Sequence, residues 1–157
     1  MSLPITRIPA SIEKEHAIRQ AVKETEQFNH LAQVVVSNDD IAYLQSLLED
    51  PRISDPIYTL PKIINVSTMT AFTQQHLEER KQGEGLLMIS TDEDQVASAY
   101  YDIQFWPQWS ACELGGAIRL DLQNSGQGAQ GAMAMFDWLF NTIGVDVICE
   151  TAALNNV

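Results

Sequence analysis

The sequence is poor in cysteine: Cys112 and Cys149 are the only two among 157 residues. Both lie in apolar segments that predict buried strands, and neither belongs to a C-x-x-C or Cys/His pattern with metal-ligand spacing. We therefore expect two buried, reduced thiols and no metal site.

Basic residues are also scarce. The chain has 9 Lys and Arg against 21 Asp and Glu, which gives a formal net charge of −12. A nucleic-acid partner requires a basic patch that neutralises phosphates, so this balance argues against one. A cationic acceptor, such as an amine or a basic peptide end, is attracted to an acidic surface. The same surface is equally well explained as one that keeps the protein soluble.

Long apolar runs are absent as well. The first seven residues lack the apolar run of a signal peptide, and no stretch approaches the length of a membrane span. We therefore expect a cytoplasmic protein without membrane contact. Because 45% of the residues are hydrophobic and only 19% are charged, residues 1–157 are expected to form one globular domain with its own core.

The first part of the chain, residues 1–85, is predicted to be mainly helical. Ser11 is a plausible N-cap for a helix that extends to about Phe28. Residues 33–36 fit either a continuation of that helix or a β segment. Ser37 begins a capping box ahead of apolar residues at helical spacing, and Pro51 is expected to end that second helix.

The rest of this part is less regular. Residues 50–61 contain three prolines and predict an irregular connection. Ser67 is predicted to cap a further helix, which Gly83 and Gly85 end. The histidines are expected to be solvated or capping residues within polar helical sequence: His16, His30 and His76.

From residue 86 the hydrophobic pattern takes the period of β-strands. Residues 86–89 predict a buried strand, and alternating apolar residues in 97–105 predict the next one. The chain then turns back into an antiparallel partner that extends to roughly Leu120. The pair Gly115-Gly116 interrupts this strand, which indicates a bulge or the close approach of another backbone or a ligand.

A glycine-rich segment follows, with Gly126, Gly128 and Gly131 at the start of a predicted apolar helix. The start of a helix has backbone N–H groups without intrahelical acceptors and the positive end of the helix dipole, so it attracts anions. Glycine lets a phosphate approach the backbone closely because it has no Cβ. We interpret the segment as a diphosphate-binding loop.

Two known loops fit this segment. The three glycines satisfy G-x-G-x-x-G, and Glu150 at the end of the next predicted strand is placed like the ribose-binding acid of a Rossmann domain. A Rossmann-type nucleotide-binding fragment is therefore one alternative, although only 26 residues follow Gly131. The second pattern is Gln/Arg-x-x-Gly-x-Gly/Ala, formed here by Gln123, Gly126 and Gly128.

The second pattern resembles the acetyl-coenzyme A loop of the GNAT N-acetyltransferase superfamily, and other segments resemble its RimJ/RimL branch. Glu113-Leu-Gly115 is similar to the Glu-Leu-Gly strand of that branch. The helix over 132–140 and the turn over 142–145 keep its aromatic, Phe and Gly positions. Asn155 lies where the branch has the Asn of its N-x-x-S motif.

The resemblance implies an α/β (α+β layered) fold. Its GNAT-like mixed sheet is mostly antiparallel, has one parallel splayed pair and is flanked by helices. Two departures accompany it: the segment between Glu113 and Gly126 is slightly longer than in the branch, and the chain ends at Val157. A helix and two further strands are expected after that point in a complete member, so we expect the C-terminal part of the domain to be missing.

The resemblance also implies acetyl-CoA or CoA as the co-substrate and assigns the site residues. Backbone groups of 118–120 orient the acetyl group and pantetheine, those of 123–129 hold the diphosphate, and Asn155 contacts the cofactor. Glu113 is the candidate catalytic base; an exposed strand carboxylate or a surface ion pair is the alternative. The predicted cofactor-binding residues are Ile118, Arg119, Leu120, Gln123, Asn124, Ser125, Gly126, Gln127, Gly128, Ala129 and Asn155.

The function implied is an N-acetyltransferase that moves an acetyl group from acetyl-CoA to the primary amine of a small molecule or a protein N-terminus. Residues 1–85 are expected to form the acceptor side, and residues 86–157 the strands and acetyl-CoA loop. A catalytically inactive CoA-binding or interaction module on the same fold is the first alternative. Because the last predicted strand leaves an open sheet edge, a homodimer across that edge is also expected.

Overall fold

The computed structural model describes residues 8–152 and residue 154. Its strands are β1 Gln27–Phe28, β2 Ala32–Val34, β3 Gly85–Thr91, β4 Ala97–Trp106, β5 Ala111–Ile118 and β6 Val147–Cys149. They form one sheet in which the strands lie in chain order from β1 to β6. The first four pairs are antiparallel and the β5–β6 pair is parallel, as the resemblance implied.

Helices cover both faces of the sheet. They are α1 Ile12–Glu24, α2 Ile41–Leu48, α3 Pro51–Ser54, α4 Val66–Gln82 and α5 Gln127–Trp138, which continues into a π-helical turn over Leu139–Ile143. The packing partners of each helix place α1 and α5 on one face and α2, α3 and α4 on the other. None of the helices in the described residues is long and apolar enough to cross a membrane.

Each face of the sheet has its own core, because successive side chains of a strand point to opposite faces. On the α1 and α5 side, Val22 and Trp138 pack against Ile103. On the α2 to α4 side, Leu44 and Met69 join a second cluster. A fully buried side chain of this kind contributes roughly 1.5–3 kcal/mol relative to an exposed one. The two clusters together hold the long central strands in a fixed position.

Several predicted boundaries in the first part are wrong. The Ser11 cap is confirmed, since its hydroxyl accepts from Lys14 N–H at 3.1 Å. The helix ends at Glu24 rather than near Phe28, which belongs to a short hairpin. That hairpin turns at Asn29, one of two adjacent residues with positive φ, a conformation that asparagine tolerates well.

Two cap predictions fail for local reasons. Pro51 does not end a helix but begins α3, where its missing N–H costs nothing. The N-cap of α4 is Asn65 rather than Ser67: the Asn65 side chain accepts from Thr68 N–H at 3.0 Å, and Thr68 reciprocates to form a capping box. The C-terminal prediction for α4 is confirmed, because Gly83 adopts the left-handed conformation at the C-cap.

The predicted interruption of β5 at Gly115-Gly116 is a close approach to the backbone of β4 rather than a bulge. The β4–β5 ladder is continuous through both glycines. Gly116 has φ +151°, and a Cβ there would lie 2.3 Å from the Tyr100 carbonyl oxygen, so a side chain is excluded. Of the two cysteines, Cys112 is buried, whereas Cys149 is only half-buried because it lies in the edge strand β6.

Candidate functional site: a slot between diverging strands and an acidic cavity

The parallel pair separates soon after it forms. Strand β6 pairs with β5 through three residues, and the last pair is Glu113 with Cys149. Strand β5 continues beyond this pair to Ile118, while the described chain after Cys149 leaves the sheet. The two strands therefore diverge and leave a slot beside the second half of β5.

Backbone donors face this slot. Arg119 N–H donates to Ser98 C=O at 2.8 Å in the ladder with β4. Because residues of an antiparallel strand alternate between the two edges, the N–H groups of Gly116 and Ile118 point away from β4. They point toward the side where β6 no longer pairs. Within the described part of the chain, the slot therefore presents amide donors without an acceptor along one side.

The start of α5 lies at the end of this slot. Gly126 has φ +82° and occupies the N-cap, and a Cβ added at Gly126 or Gly128 would meet no atom within 4 Å. Ser125 Oγ accepts from Gln127 N–H at 3.4 Å, but no described residue accepts from the N–H groups of Gly128 and Ala129. Uncovered amides at a helix start attract an anion. The turn is open, as the diphosphate interpretation requires.

A cavity of about 390 Å³, here called the slot cavity, connects these features. Its lining includes β5 from Glu113 to Ile118, the residues after β6 from Glu150 to Ala152, and the first turns of α5. Gln127, Gly128 and Gly131 contribute to it on the helix side. The predicted Gln123 lies just outside and ties the loop to β5, since its Nε2 donates to Ile118 C=O at 3.1 Å.

The remaining predicted loop residues shape the turn. Asn124 has a positive φ of 59°, and Ser125 Oγ donates to Leu122 C=O at 2.6 Å. Leu120 begins a short 3₁₀ turn and packs against the α2 to α4 core instead of facing the slot. Asn155 lies outside the described residues, so its predicted role stays a prediction.

Arg119 contacts carboxylates rather than open space. Its guanidinium lies 2.8 Å from Asp92 Oδ2 and 2.6 Å from Asp121 Oδ1. The hydrogen bonds that Arg119 donates to both carboxylates raise its pKa further, the bond to Asp121 being the larger cause. Its backbone N–H is already paired with Ser98. In this arrangement Arg119 joins the hairpin before β4 to the end of β5, and four side-chain hydrogen bonds to Asp92, Asp121 and Ala97 engage most of its donors.

Glu113 lies on β5 at the last paired position before the strands diverge. Its side chain accepts a hydrogen bond from the hydroxyl of Tyr58, which comes from the segment between α3 and α4. Burial raises the pKa of Tyr58, and the bond to Glu113 and the charges of Glu113 and Asp102 raise it further. Glu113 is half-buried and is contacted by a phenol, and its role as the base stays a prediction.

A second cavity of about 530 Å³, here called the acidic cavity, adjoins the slot cavity. Both cavities are lined by Tyr58, Thr59, Asp102, Gln104 and Glu113. The acidic cavity also contains the carboxylates of Glu79 and Glu84. Among the described residues, no Lys or Arg lines it.

The prediction for His76 is wrong, because its side chain is buried at 7% exposure. Its Nδ1 lies 2.8 Å from Phe72 C=O and its Nε2 lies 2.8 Å from Asp102 Oδ1. The protonated imidazole, in which both ring nitrogens donate, satisfies the carbonyl and the carboxylate together. Burial lowers the pKa of His76, but the bond to Asp102, its charge and the Phe72 carbonyl outweigh burial and raise it overall.

Sequence reasoning missed three residues near the place where the two cavities adjoin, here called the junction: Tyr58, His76 and Asp102. They come from a loop, a helix and a strand that are far apart in the chain, and no local motif connects them. One weak signal existed for Asp102, since it occupies an inner position of a strand that is otherwise rich in apolar residues. Tyr100, two residues before Asp102 on the same strand, is a core residue with 1% exposure.

Cys112 is not placed to act as a nucleophile. It lies in the core on the α1 and α5 side, and burial raises the pKa of its thiol to about 12. A protonated buried thiol is a poor nucleophile. The arrangement therefore suits a reaction in which an acyl group passes directly between two bound substrates.

The Rossmann alternative is wrong. Strand β5, α5 and strand β6 do form one βαβ unit, which explains why the loop fits the dinucleotide pattern. A Rossmann domain continues with further parallel strands, whereas the other four pairs of this sheet are antiparallel. The glycine pattern alone could not distinguish the two folds.

No protein-family model matches the sequence, and no curated protein matches it. Solved structures do match the fold. The ribosomal-protein-S5-alanine acetyltransferase from Vibrio fischeri is 11% identical with a TM-score of 0.65, over 96% of this chain and 76% of that chain. RimL, a ribosomal L7/L12 alpha-N-protein acetyltransferase in complex with coenzyme A, is 11% identical with a TM-score of 0.67, over 85% of this chain and 77% of that chain.

A third match is a point mutant of spermidine N-acetyltransferase from Vibrio cholerae, 11% identical with a TM-score of 0.61, over 80% of this chain and 72% of that chain. At these identities the similarity concerns the fold, and it agrees with the mixed sheet and the splayed β5–β6 pair. The described part of the chain therefore has the fold of the GNAT acetyltransferases, including the RimJ/RimL proteins, as the sequence motifs indicated.

Proposed function

We propose that this protein is an N-acetyltransferase that uses acetyl-CoA as co-substrate and acetylates a primary amine of a small molecule or a protein N-terminus. One observation carries the proposal: β5 and β6 diverge directly beside an uncovered helix start. A diphosphate at Gly126 and Gly128 and a pantetheine arm along β5 are chemically suited to these surfaces. The RimL structure that matches the fold contains coenzyme A, which supports this choice of co-substrate.

The cofactor-binding assignments follow from this arrangement. The N-terminal turn of α5, from Gln127 to Ala129, holds the diphosphate with its preceding loop 123–126. The N–H groups of Gly116 and Ile118 bind the pantetheine amides and the acetyl carbonyl. Arg119 and Leu120 belong to this set only as structural support, because their side chains are engaged elsewhere.

The acceptor enters from the acidic cavity. About half of its lining comes from α4 and the loop before it, which fits the expectation that residues 1–85 form the acceptor side of the domain. An amine is a cation at neutral pH, so carboxylates attract it. Water weakens this attraction less in a partly closed cavity than at an open surface. The spermidine and ribosomal-protein acetyltransferases that match the fold act on amine acceptors, which is in agreement with such a site.

The reaction needs no covalent enzyme intermediate. The amine nitrogen forms a bond to the acetyl carbon, and the carbon–sulfur bond to CoA breaks. The ammonium loses two protons overall: one passes through Glu113 to solvent, and the other ends on the CoA thiol. Tyr58 is the candidate carrier for the second proton, because its hydroxyl is bonded to Glu113 and lines the slot cavity.

Calorimetry with acetyl-CoA, CoA and NAD tests the co-substrate. We expect binding of acetyl-CoA and CoA and no binding of NAD; binding of NAD alone rejects the proposal. Release of free thiol from acetyl-CoA is then measured with an amine panel that contains spermidine and peptides with free N-terminal Ser or Ala. Acetyl-CoA binding without turnover across the panel favours the inactive CoA-binding module. A homodimer through β6 and a cytoplasmic location stay predictions.

A further inference from the structure

Among the residues that the structure describes, one carboxylate oxygen of Asp102 has no hydrogen-bond donor. Its Oδ1 accepts from His76, but no described residue donates a hydrogen bond to Oδ2. The Asp102 side chain is 13% exposed and lines both cavities, through which a small ligand can reach it. A partly buried carboxylate gains from a further hydrogen-bond donor at its second oxygen.

The space next to this oxygen is open because the opposite residue is a glycine. Asp102 pairs with Gly115 across the β4–β5 ladder, and both line the slot cavity. A Cβ at Gly115 would meet the Asp102 carbonyl oxygen at 3.5 Å, an ordinary contact, and Gly115 has no positive φ. The fold therefore does not require glycine here, and its effect is to leave the Asp102 carboxylate uncovered.

The surrounding charges leave Asp102 and Glu113 without enough positive partners. Both carboxylates line both cavities, and both contribute to the raised pKa of Tyr58. Glu79 and Glu84 also line the acidic cavity, and Glu84 forms an ion pair with Arg19, which does not line it. His76 supplies a single positive charge to this cluster. A further cation at the junction is electrostatically favourable.

We infer that Asp102 binds the ammonium group of the acceptor at the junction of the two cavities, and that His76 is the positioning residue that fixes the Asp102 carboxylate there. The inference rests on the proposed function and specifies its acceptor: a primary alkylammonium, bound through Oδ2 of Asp102. Glu113 then lies across the ladder from Gln104, on the same face of the sheet, where it receives the proton.

The hydrogen bond of His76, rather than its charge, carries this positioning role. His76 fixes Oδ1, and Oδ2 is thereby directed into the cavities. A glutamine at this position places an amide donor close to that of the imidazole Nε2 and keeps the bond without the charge. A leucine keeps the volume and removes the donor. The two substitutions therefore separate the bond from mere packing.

Binding is measured by NMR on the full chain with a probe that does not require turnover. Butylammonium chloride is titrated into ¹⁵N-labelled protein, and 1-butanol serves as the neutral control. We expect saturable shifts of the Gly115 and Gly116 amides with butylammonium only. Asp102→Asn should raise the Kd by roughly tenfold or more, the effect of losing one charge-assisted hydrogen bond.

Glu49→Gln is the matched control. Glu49 is exposed, and this substitution removes the same formal charge at a position away from both cavities. A Kd in Asp102→Asn equal to that of the wild type, or an equal loss in Glu49→Gln, overturns the inference. His76→Gln should bind within about twofold of the wild type and His76→Leu more weakly. Equal binding by both His76 variants refutes the positioning role. If His76→Leu does not fold, His76→Gln is compared with the wild type, and a loss of affinity well beyond twofold refutes the role of the hydrogen bond.

Kinetics separate this inference from the proposed function. If the wild type acetylates an amine, Asp102→Asn should raise KM for that amine while the Kd for acetyl-CoA stays unchanged. Turnover with an unchanged KM in Asp102→Asn rejects the inference and leaves the function intact. Butylammonium binding that depends on Asp102, without acetylation of any amine, rejects the function and leaves the inference intact.

Discussion

Gly128 offers a substitution that should stabilise the protein and weaken cofactor binding at once. It is the second residue of α5, and a Cβ there would meet no atom within 4 Å. Alanine loses less backbone entropy than glycine on helix formation, so Gly128→Ala should add about 0.5–1 kcal/mol of stability. For a domain of this size, that corresponds to a rise in Tm of roughly 1–4 °C.

The same methyl group should lower CoA affinity. Gly128 lines the slot cavity, and its N–H has no acceptor among the described residues. If this N–H donates to the diphosphate, a side chain at Gly128 moves the phosphate away from it. Loss of one hydrogen bond to a charged group costs about 1.5–3 kcal/mol, which corresponds to a Kd raised roughly 10- to 100-fold.

Thermal unfolding with and without CoA measures both effects together. Gly128→Ala should melt above the wild type without CoA, and its increase in Tm on adding CoA should be smaller. Gln130→Ala is the control, since Gln130 is exposed on the same helical turn and does not line the slot cavity. A higher Tm combined with unchanged CoA affinity would refute our placement of the diphosphate at this turn.

Three further predictions concern the neighbouring side chains. Glu113→Gln should lower kcat mainly at lower pH, where the acceptor is more fully protonated, with little change in acetyl-CoA affinity; unchanged rates reject Glu113 as the base. Arg119→Ala should reduce stability by up to about 1 kcal/mol, because its ion pairs are partly exposed, and leave CoA affinity within about twofold; a much larger loss shows that Arg119 contacts the phosphate after all. The pKa of His76 is raised above 6.5, so its stabilisation is complete below that pH and is lost as the pH rises through the folded-state pKa. Chemical unfolding between pH 6 and 8 should therefore show a steeper loss of stability for the wild type than for His76→Gln, and parallel curves contradict the ion pair with Asp102.

The sequence predicted the elements whose signals are local. Alternating apolar residues predicted β4, and glycines at the start of an apolar helix predicted the open turn before α5. The Ser11 cap was predictable because a capping bond spans only three residues. The glycine-rich segment fits both a Rossmann fold and the GNAT fold. The GNAT fold was favoured because of motifs outside that segment, such as Glu113-Leu-Gly115.

The candidate site was predictable only in part, because its two cavities depend on different kinds of contact. The diphosphate turn is a single continuous segment. The junction at Asp102 requires α4 to cross the face of β4, so that His76 reaches a strand residue 26 positions away. The histidine looked solvated because its neighbours along α4 are polar. Its burial results from tertiary packing, which a one-dimensional pattern does not contain.

The position of the site follows from where the second hydrophobic core ends. Side chains of β3 to β5 that face α2 to α4 begin as an apolar set with Leu87 and Tyr100. Farther along the same face they become Asp102, Gln104 and Glu113, and α4 presents the polar residues Gln75, His76 and Glu79 beside Phe72. Polar residues on an inner strand face are costly unless something satisfies them, and His76 and Tyr58 satisfy only part of this set. The remaining requirement is met most directly by a bound cation. The same end of the sheet is where β6 leaves β5, so a thioester in the slot and an ammonium at the carboxylates are brought together by one feature of the fold.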